Sequence, residues 1–281
     1  MSDIRDLWDD LDGFKTKKRN EMLKPPVAYP GSKTQHLEQL LEILPLYNTY
    51  VEPFGGSAAL LLARPRANLE VYNDAYAGVS EFWKVVQDDD LLEEMLAACD
   101  MFLHSREQFA EQLIIVHQGS TIVERAAAWF YTTKTSFAGL GRNWGREVSG
   151  KAATFTKYRK ALRHMGPLKR RMSNVQIENT DYKNIFRDFD SPDAVFFIDP
   201  PYLGDYGGTY KNEEVNHEVL LEMVFDMRSY CAVCGRPSKL YDNQAWDEEH
   251  TFERMTAVAG RTHNSGKKIR GIEKVWVKNA S

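Results

Sequence analysis

Four consecutive residues have side chains and carbonyls that could do chemistry: Asp199, Pro200, Pro201 and Tyr202. The Asp199 carboxylate can accept a hydrogen bond from an amino group. The two prolines fix the backbone and remove two donors, which leaves the Pro200 carbonyl to accept a second hydrogen bond from the same group. The Tyr202 ring offers a flat face on which a planar base could stack. A simple surface turn is the alternative interpretation of these four residues.

The residues just before this motif predict the element that positions it. Ala194 to Ile198 are five consecutive apolar residues, rich in β-branched and aromatic types, and a proline pair follows Asp199. This pattern is typical of a buried central strand in a parallel sheet. Ligands of open α/β sheets bind at the carboxyl ends of the strands, so we expect Asp199 at the reactive edge.

A glycine-rich turn lies earlier in the chain, within YVEPFGGSAALLL from Tyr50 to Leu62. Its strand, turn and helix start would let a ligand approach the backbone and the amide groups that begin the helix. A dinucleotide site uses a similar turn, but the spacing here departs from GxGxxG. We therefore predict cofactor contacts at Phe54 and Gly55 without favouring a nicotinamide cofactor.

Asp74 follows a predicted strand, Leu69 to Asn73, about twenty residues after the glycine turn. An acid in this place can accept hydrogen bonds from ribose hydroxyls. An N-cap for a helix beginning near Ala75 is the alternative, and the two roles are compatible.

Charge is distributed unevenly along the chain. Between Thr121 and Val175 there are twelve Lys and Arg residues and two Glu, a net charge of +10, whereas the whole chain carries −4 and the remainder therefore −14. Such segregation suggests a basic face directed at phosphates. We expect residues Thr154 to Arg171 to form a basic helix along a nucleic-acid backbone.

Three glycines, at 139, 141 and 145, favour a loop or hairpin inside this basic segment. Arg and Asn on such a loop can read base edges, and apolar side chains can wedge or stack where a base has left the helix. The candidate DNA-binding residues are Phe137, Leu140, Arg142, Asn143 and Arg146.

Composition narrows the class of protein. The 281 residues, 43% of them hydrophobic, suffice for one large domain or for a domain with an insert. No run of 18 apolar residues exists and the first ten residues are acidic, so we expect a cytoplasmic protein that does not enter a membrane. Cys231 and Cys234 could be half of a zinc site, but a predicted strand there favours two core thiols.

The Asp199 to Tyr202 motif resembles the catalytic motif of amino-methyltransferases that use S-adenosylmethionine. From about Pro26 to Lys278, the chain resembles the DNA adenine methylase (Dam-like) family of N(6)-adenine DNA methyltransferases. The resemblance implies S-adenosylmethionine as methyl donor, no metal, and double-stranded DNA as substrate, with the target adenine flipped out of the stack. Asp199 and the Pro200 carbonyl would hold the amine, and Tyr202 would stack on the flipped base.

The resemblance also nominates further contacts. It implies that Tyr29 and Lys33, in the loop Tyr-Pro-Gly-Ser-Lys, contact the cofactor together with Asp199, and that Asp181 lies near the cofactor's adenine; a helix cap is the alternative for Asp181. Family members that methylate GATC carry a lysine where this chain has Ala28 and an asparagine where it has Ala138. These departures do not support GATC as the recognition sequence.

The expected architecture is an α/β, Rossmann-like methyltransferase sheet, mostly parallel with a terminal antiparallel hairpin, plus a small helical insert. Residues 1–24 would be an N-terminal extension, residues 25–96 and 173–281 the catalytic domain, and residues 97–172 a DNA target-recognition insert that the family also places here. A segment after the motif, 203–214, is expected to form a lid over the substrate. We expect a monomer or weak dimer.

Two other functions stay open from the sequence. One is N(4)-cytosine methylation, whose motif begins more often with Ser than with Asp. The other is a DNA-binding regulator that keeps the fold without turnover, although the catalytic motif is intact. A restriction-modification system, a phage or a housekeeping pathway could each use such an adenine methyltransferase.

Overall fold

The computed structural model describes residues 22–29, 31–146, 154–203, 215–255 and 270–281. The strands within these ranges are β1 (Thr49–Glu52), β2 (Leu69–Asn73), β3 (Val175–Glu178), β4 (Ala194–Ile198), β5 (Tyr230–Gly235), β6 (Glu248–Met255) and β7 (Arg270–Lys278). The α-helices are α1 (Leu37–Ile43), α2 (Ala59–Ala63), α3 (Ala77–Gln87), α4 (Asp89–Met101), α5 (Arg106–Gln118), α6 (Ile122–Thr135), α7 (Thr154–Leu162), α8 (Met165–Met172), α9 (Tyr182–Phe189), α10 (His217–Asp226) and α11 (Lys239–Asp242). Single 3-10 turns lie at Lys33–Gln35 and Phe137–Gly139.

The seven strands form one sheet in the order β3-β2-β1-β4-β5-β7-β6. The first five in this order pair in parallel, and β7 runs antiparallel to both β5 and β6. The predicted Rossmann-like sheet with a terminal antiparallel hairpin is confirmed. The strand before the Asp-Pro-Pro-Tyr motif, β4, is the central strand of the sheet, and it spans the five residues that the apolar run predicts.

The sheet is buried on both faces, and its central strand β4 is apolar throughout. Val195 and Phe197 of β4 join one apolar cluster, whereas Phe196 and Ile198 join a second cluster on the opposite face. This alternation follows from the two-residue period of a strand. Helices on both faces complete the burial, as parallel sheets require.

Most helices of the middle region pack onto one face of this sheet. Phe130 of α6 stacks on Phe82 of α3 at 5.5 Å between ring centroids, and both residues belong to the cluster that contains Val195. The helices between residues 89 and 172 therefore share a continuous core with the sheet. Residue 97, the predicted start of the insert, lies inside α4; the division of the chain into domains stays a prediction.

Two predicted elements differ from the structure. The single basic helix from Thr154 to Arg171 is wrong, because α7 ends at Leu162 and α8 begins at Met165. Pro167 explains the break: it has no amide hydrogen for the Arg163 carbonyl, and prolines are tolerated only in a first helical turn. The sequence also predicts the first strand of the terminal hairpin from Phe252 to Val258, but β6 begins earlier, at Glu248, where it pairs with Val277.

Two further observations concern the chain as a whole. Within the described ranges, none of the helices combines the length and the apolar character that crossing a membrane requires. Residues 1–21, most of the predicted N-terminal extension, lie outside the described residues.

Candidate active site

The carboxyl ends of β1, β2 and β4 meet at one edge of the sheet, as neighbouring parallel strands must. A cavity of about 650 Å³ opens there, within the range of about 300–1,000 Å³ usual for ligand pockets. Its walls include the predicted site residues Tyr29, Lys33, Phe54, Gly55, Asp74, Leu140, Asp181 and Asp199. Helices α5 and α6 close the other side, through residues such as His117 and Thr133.

The glycine turn after β1 is shaped by close contacts that leave no room for side chains. A Cβ on Gly55 would lie 2.1 Å from the ring of the buried Tyr72, so only glycine fits there. Gly56 has a φ of +48°, a conformation that favours glycine. The Tyr72 hydroxyl donates to the Gly56 carbonyl at 2.7 Å, and the Gly55 amide donates to the Asn73 carbonyl, also at 2.7 Å. The turn is therefore fixed to the end of β2.

Asp74 ties this turn to the start of the next helix. Its Oδ2 accepts from the Gly56 amide at 2.9 Å and its Oδ1 from the Tyr76 amide at 2.8 Å. The N-cap of α3 is Tyr76, without a side-chain cap, so Asp74 stabilises the approach to the helix rather than the cap position itself. Burial raises the pKa of Asp74 to about 6, although these two amide bonds oppose the rise.

Asn73 connects three loops at this edge, and no sequence pattern singles it out. Its Nδ2 donates to the Pro53 carbonyl at 2.8 Å and to the Thr180 carbonyl at 3.1 Å, and its Oδ1 accepts from the Thr180 amide at 2.9 Å. The side chain is buried. Asn73 therefore holds the ends of β1, β2 and β3 in a fixed relation.

Asp181 lies just beyond β3, at the same edge of the sheet. It is the N-cap of α9, and its Oδ1 accepts from the Lys183 amide at 2.8 Å. The capping role is thus present, and the residue also lines the cavity. Both interpretations of Asp181 are compatible with this position.

Glu52, at the end of β1, is a second buried acid that sequence reasoning missed. Its side chain lines the cavity, is 2% exposed, and accepts from the Tyr50 hydroxyl at 2.7 Å. Burial raises the pKa of Glu52 to about 7, and the Tyr50 hydrogen bond, a backbone bond and Arg64 oppose the rise. Glu52 directly precedes Pro53 and Phe54 in the glycine-rich stretch, and this position could have identified it as a candidate site residue.

Asp199 and Lys33 form an ion pair at the end of the central strand. Lys33 Nζ lies 2.6 Å from Asp199 Oδ1 and 2.9 Å from Glu273 Oε1, and it also donates to the Gly31 carbonyl at 3.0 Å. The Lys33 side chain is 4% exposed, and that of Asp199 is 19% exposed. Burial lowers the pKa of Lys33, but the surrounding acids outweigh it and hold that pKa well above its usual value.

Pro200 and Tyr202 are more enclosed than Asp199. Pro200 is buried, and the cavity wall includes Pro201 but neither Pro200 nor Tyr202. The Tyr202 hydroxyl donates to Glu273 Oε1 at 2.7 Å, and the Arg236 guanidinium lies over its ring, 4.5 Å from the centroid. Burial raises the pKa of Tyr202 well above its usual value. The stacking role of Tyr202 stays a prediction.

The candidate recognition loop is a short hairpin whose side chains face outward. A bridge joins Ser136 to Trp144, and the Phe137 amide donates to the Asn143 carbonyl at 2.8 Å. Phe137 is 69% exposed and Leu140 is 38% exposed. Arg142, Asn143 and Arg146 are also exposed. The predicted loop or hairpin is therefore present, with the nominated residues along its outer surface.

Trp144 anchors this hairpin instead of projecting from it. His104 packs edge-on against the Trp144 ring at 5.5 Å between centroids, and the Arg106 guanidinium lies 5.0 Å from the ring centre. His104 also stacks on Phe155 of α7 at 4.9 Å. The base of the hairpin is thus fixed to the start of α5 and to α7.

The basic segment is less positive at the surface than its sequence suggests. Arg125 pairs with Glu81 at 2.7 Å, and Arg159 and Lys169 pair with Asp100 and Asp89. Arg171 is buried against Glu70 at 2.5 Å, so it supports the fold and cannot face a phosphate. The exposed cations of the segment, among the described residues, are Arg142, Arg146, Lys157, Lys160, Arg163 and Arg170.

The cysteines are core thiols, as the sequence favours. Cys231 and Cys234 are buried on β5, and their side chains join the two clusters on opposite faces of the sheet. Two thiols on opposite faces cannot share a zinc ion, which excludes the half-site that the spacing left open. Cys234 lies near Asp199 and Glu273, a grouping able to hold a cation, and the Lys33 ammonium lies within bonding distance of both carboxylates.

Most of the predicted lid, at 204–214, lies outside the described residues, as do residues 256–269 between β6 and β7.

Comparison with known proteins identifies the family. The family model for D12 class N6 adenine-specific DNA methyltransferases matches residues 29–235, well over half of the chain. The match runs from the Tyr29 loop through the glycine turn and the hairpin to the end of β5, and it includes the Asp-Pro-Pro-Tyr motif. No curated protein gives a significant match. The chain belongs to the D12 class of N6 adenine-specific DNA methyltransferases.

Proposed function

We propose that this enzyme transfers a methyl group from S-adenosylmethionine to the exocyclic amine of an adenine that has been flipped out of duplex DNA. The observation that carries the proposal is the position of Asp199. It follows the central strand, at the edge of a cavity that both the glycine turn and the middle helices line. Methyl donor and target base would thus share one enclosed space.

The cavity residues fit S-adenosylmethionine, which supplies an electrophilic methyl group on a positively charged sulfur when bound. Two carboxyl groups, Glu52 and Asp74, line the cavity and suit the cofactor's cationic and hydroxyl groups. The tight turn supports the fit as well, since a Cβ on Gly56 would lie 3.0 Å from the Tyr29 ring and narrow the space between them. Tyr29, Lys33, Phe54, Gly55, Asp74 and Asp181 are the proposed cofactor-binding residues.

Asp199 and the Pro200 carbonyl would hold the amine of the target adenine by accepting a hydrogen bond from each of its two N–H groups. The nitrogen lone pair would then point toward the methyl donor, and positioning of this kind can supply much of a rate enhancement. Tyr202 is proposed to stack on the base. Neither a metal nor a covalent intermediate is needed for this step.

Base flipping is part of the proposal because of where Asp199 lies. Its side chain is only 19% exposed, at the rim of a cavity below the protein surface. The amine of a stacked adenine is hydrogen-bonded inside the duplex, and enzymes that modify such groups extrude the nucleotide. Phe137 and Leu140, exposed on the hairpin beside the cavity, are proposed to contact the DNA near the flipped base. Arg142, Asn143 and Arg146 would contact base edges or phosphates.

A direct test measures transfer of a radiolabelled methyl group from S-adenosylmethionine to DNA that lacks adenine methylation, followed by chromatography of the digested nucleosides. We expect label in methyladenine with the wild type and a loss of about 10³-fold with Asp199→Ala, comparable to removal of a group that binds the transition state. Asp193→Ala is the matched control. It makes the same change in an exposed residue before β4, at the opposite end of that strand.

Three results would contradict the proposal. Label in cytosine would assign the N(4)-cytosine reaction that the sequence left open. No label, despite measurable binding of S-adenosylmethionine and DNA, would favour a non-catalytic DNA-binding protein or an RNA substrate. Equal activity of the wild type and the Asp199→Ala variant would show that the Asp199 carboxylate is not needed for methyl transfer.

A further inference from the structure

Glu273 is a buried acid at the reactive edge that lies outside the segment matched by the family model. Because β7 runs antiparallel to β5 and Lys274 pairs with Gly235, Glu273 lies just beyond the carboxyl end of β5. The Asp199 carboxylate lies at the same edge, one strand away. The Glu273 side chain is 3% exposed.

One oxygen of Glu273 is surrounded by donors. Oε1 accepts from the Tyr202 hydroxyl at 2.7 Å, lies 2.9 Å from Lys33 Nζ, and accepts from Cys234 Sγ at 3.6 Å. Lys33 in turn lies 2.6 Å from Asp199. Glu273 thus contacts two of the proposed site residues directly and reaches Asp199 through one of them.

The donors around Glu273 keep their protons at neutral pH. Burial raises the pKa of the Tyr202 phenol and of the Cys234 thiol well above their usual values. Burial lowers the pKa of Lys33, but the neighbouring acids raise it by more than burial lowers it, so the ammonium stays charged. Because all three donors keep their protons, the Glu273 oxygen can only accept from them, as the oxygen of an ionised carboxylate does. Two carboxylates, Asp199 and Glu273, therefore share the Lys33 ammonium.

We propose that Glu273 is a positioning residue for methyl transfer: it binds Lys33 and Tyr202 so that the Asp199 carboxylate keeps the orientation and the hydrogen-bonding capacity needed to hold the substrate amine. This inference rests on the proposed function. Without the Glu273 charge, the buried ammonium would turn to Asp199 alone, because an ammonium in a buried site needs anionic partners. Asp199 would then be a poorer acceptor for the amine, and Tyr202 would lose the hydrogen bond to a charged acceptor that holds its ring in place.

The test uses the variants Glu273→Gln and Glu273→Asp. Glutamine keeps the size and an acceptor oxygen but removes the charge, whereas aspartate keeps the charge on a shorter stem. Glu249→Gln is the matched control, since it makes the same change in an exposed acid of β6 that pairs with Lys274 at 2.8 Å. Label transfer to adenine gives kcat and KM, calorimetry gives the Kd for S-adenosylmethionine, and thermal denaturation gives Tm.

We expect Glu273→Gln to lower kcat by about tenfold or more, while KM and Kd for S-adenosylmethionine stay within about threefold, as for an interaction that acts in the transition state. Glu273→Asp should recover part of the lost kcat, and Glu249→Gln should behave as the wild type. If Glu273→Gln does not fold, Tyr202→Phe removes one of the same hydrogen bonds. It should lower kcat and reduce Tm by only a few degrees, with the Kd for S-adenosylmethionine unchanged.

Several outcomes would overturn the inference. A Glu273→Gln enzyme with kcat within twofold of the wild type would exclude a positioning role. A parallel loss of kcat, cofactor binding and Tm, without recovery in Glu273→Asp, would leave only a structural role. A wild type that transfers no label to adenine would remove the proposed function and this inference together, whereas an active wild type with an unaffected variant removes this inference alone.

Discussion

The edge of the sheet that carries Asp199 and the hairpin from Ser136 to Trp144 differ in how their residues are held. At the edge, Lys33 is 4% exposed and has three oxygen partners, from Gly31, Asp199 and Glu273. On the hairpin, Phe137 is 69% exposed, and the hairpin is fixed through its backbone and through Trp144. Chemistry on an amine needs a geometry set in advance, whereas contacts with a duplex can form as the duplex arrives.

The same difference appears in what each region tolerates. The turn at Gly55 has no space for a methyl group, because the Tyr72 ring would be 2.1 Å away. At Gly141 of the hairpin, the nearest atom to an added methyl group would be Thr133 Oγ1 at 3.7 Å, an ordinary contact. The turn at Gly55 is therefore constrained by packing, and Gly141 at the tip of the hairpin by backbone conformation. The base of the hairpin is packed as well, since an added methyl group at Gly139 or Gly145 would lie 2.6 Å from the Ala28 carbonyl oxygen or 2.7 Å from that of Thr135.

The largest expected effect comes from a substitution in the tightly packed turn at the edge of the sheet. We expect Gly55→Ala to lower the free energy of unfolding by about 3 kcal/mol, at the upper end for overpacking, since the buried Tyr72 ring cannot move without losing its bond to Gly56. Binding of S-adenosylmethionine should weaken at least tenfold, about 1.4 kcal/mol. Urea denaturation and calorimetry measure the two effects.

Gly141→Ala is the matched control for that change. Its φ of +62° makes alanine unfavourable by about 1–2 kcal/mol, but without a steric conflict. We expect a smaller loss of stability and unchanged cofactor binding. If the two variants lose stability equally, the turn at Gly55 is no more tightly packed than the hairpin at Gly141.

A second prediction concerns the exposed side chains of the hairpin. Arg142→Ala should raise the Kd for DNA about tenfold and reduce the salt slope of binding by about one, while stability and cofactor binding stay as in the wild type. The reason is that Arg142 is exposed on the hairpin and belongs to the cations left at the surface of the basic segment. Fluorescence anisotropy over a range of salt concentrations measures both quantities.

The control for Arg142 is Arg187→Ala on α9, another exposed arginine, whose side chain pairs with its neighbour Asp188. α9 lies on the face of the sheet opposite the middle helices. Unchanged DNA binding in Arg142→Ala, or an equal effect in Arg187→Ala, would remove the hairpin from the DNA interface.

Sequence patterns could predict the parts of the fold that depend on local order. β4 has the bounds that its apolar run indicates, since a strand buried on both faces is usually apolar throughout. β2 also has its predicted bounds, Leu69–Asn73, although it contains Glu70 and Asn73. The Asp-Pro-Pro-Tyr motif and the glycine turn were also visible, because each is a continuous run. β6 was placed too late because its first residues, Glu248 and Glu249, are polar and are held by pairing with β7.

The supporting residues of the site could not be predicted in the same way. Asn73 bonds to Thr180, 107 residues away, and Glu273 to Tyr202, 71 residues away. The residues next to Asn73 and Glu273 in the sequence do not indicate these distant partners. The surface charge shows the same limit: Arg171 counts as one more cation in the basic segment, yet it is buried against Glu70, 101 residues away.

A pH-dependent effect tests whether the buried acids at the edge titrate as their surroundings require. The pKa of Glu52 is raised by burial from its ordinary value of 4.5 to about 7, so the folded protein holds a proton that the unfolded chain releases above about pH 4.5. The stability contributed by that proton is present at low pH and is lost as the pH rises through 7. One proton changes the free energy of unfolding by at most about 1.4 kcal/mol per pH unit.

Glu52→Gln should therefore flatten the decline in stability between pH 5 and 7.5, because the amide does not titrate while it still accepts from the Tyr50 hydroxyl. Asp74, with a pKa of about 6, contributes a decline of the same sign that remains in the variant. Urea denaturation at several pH values measures the slope, and Glu38→Gln on the exposed side of α1 is the control. A slope that Glu52→Gln leaves unchanged would mean that Glu52 is ionised throughout this range, with Arg64 and Arg171 sufficient to hold its charge.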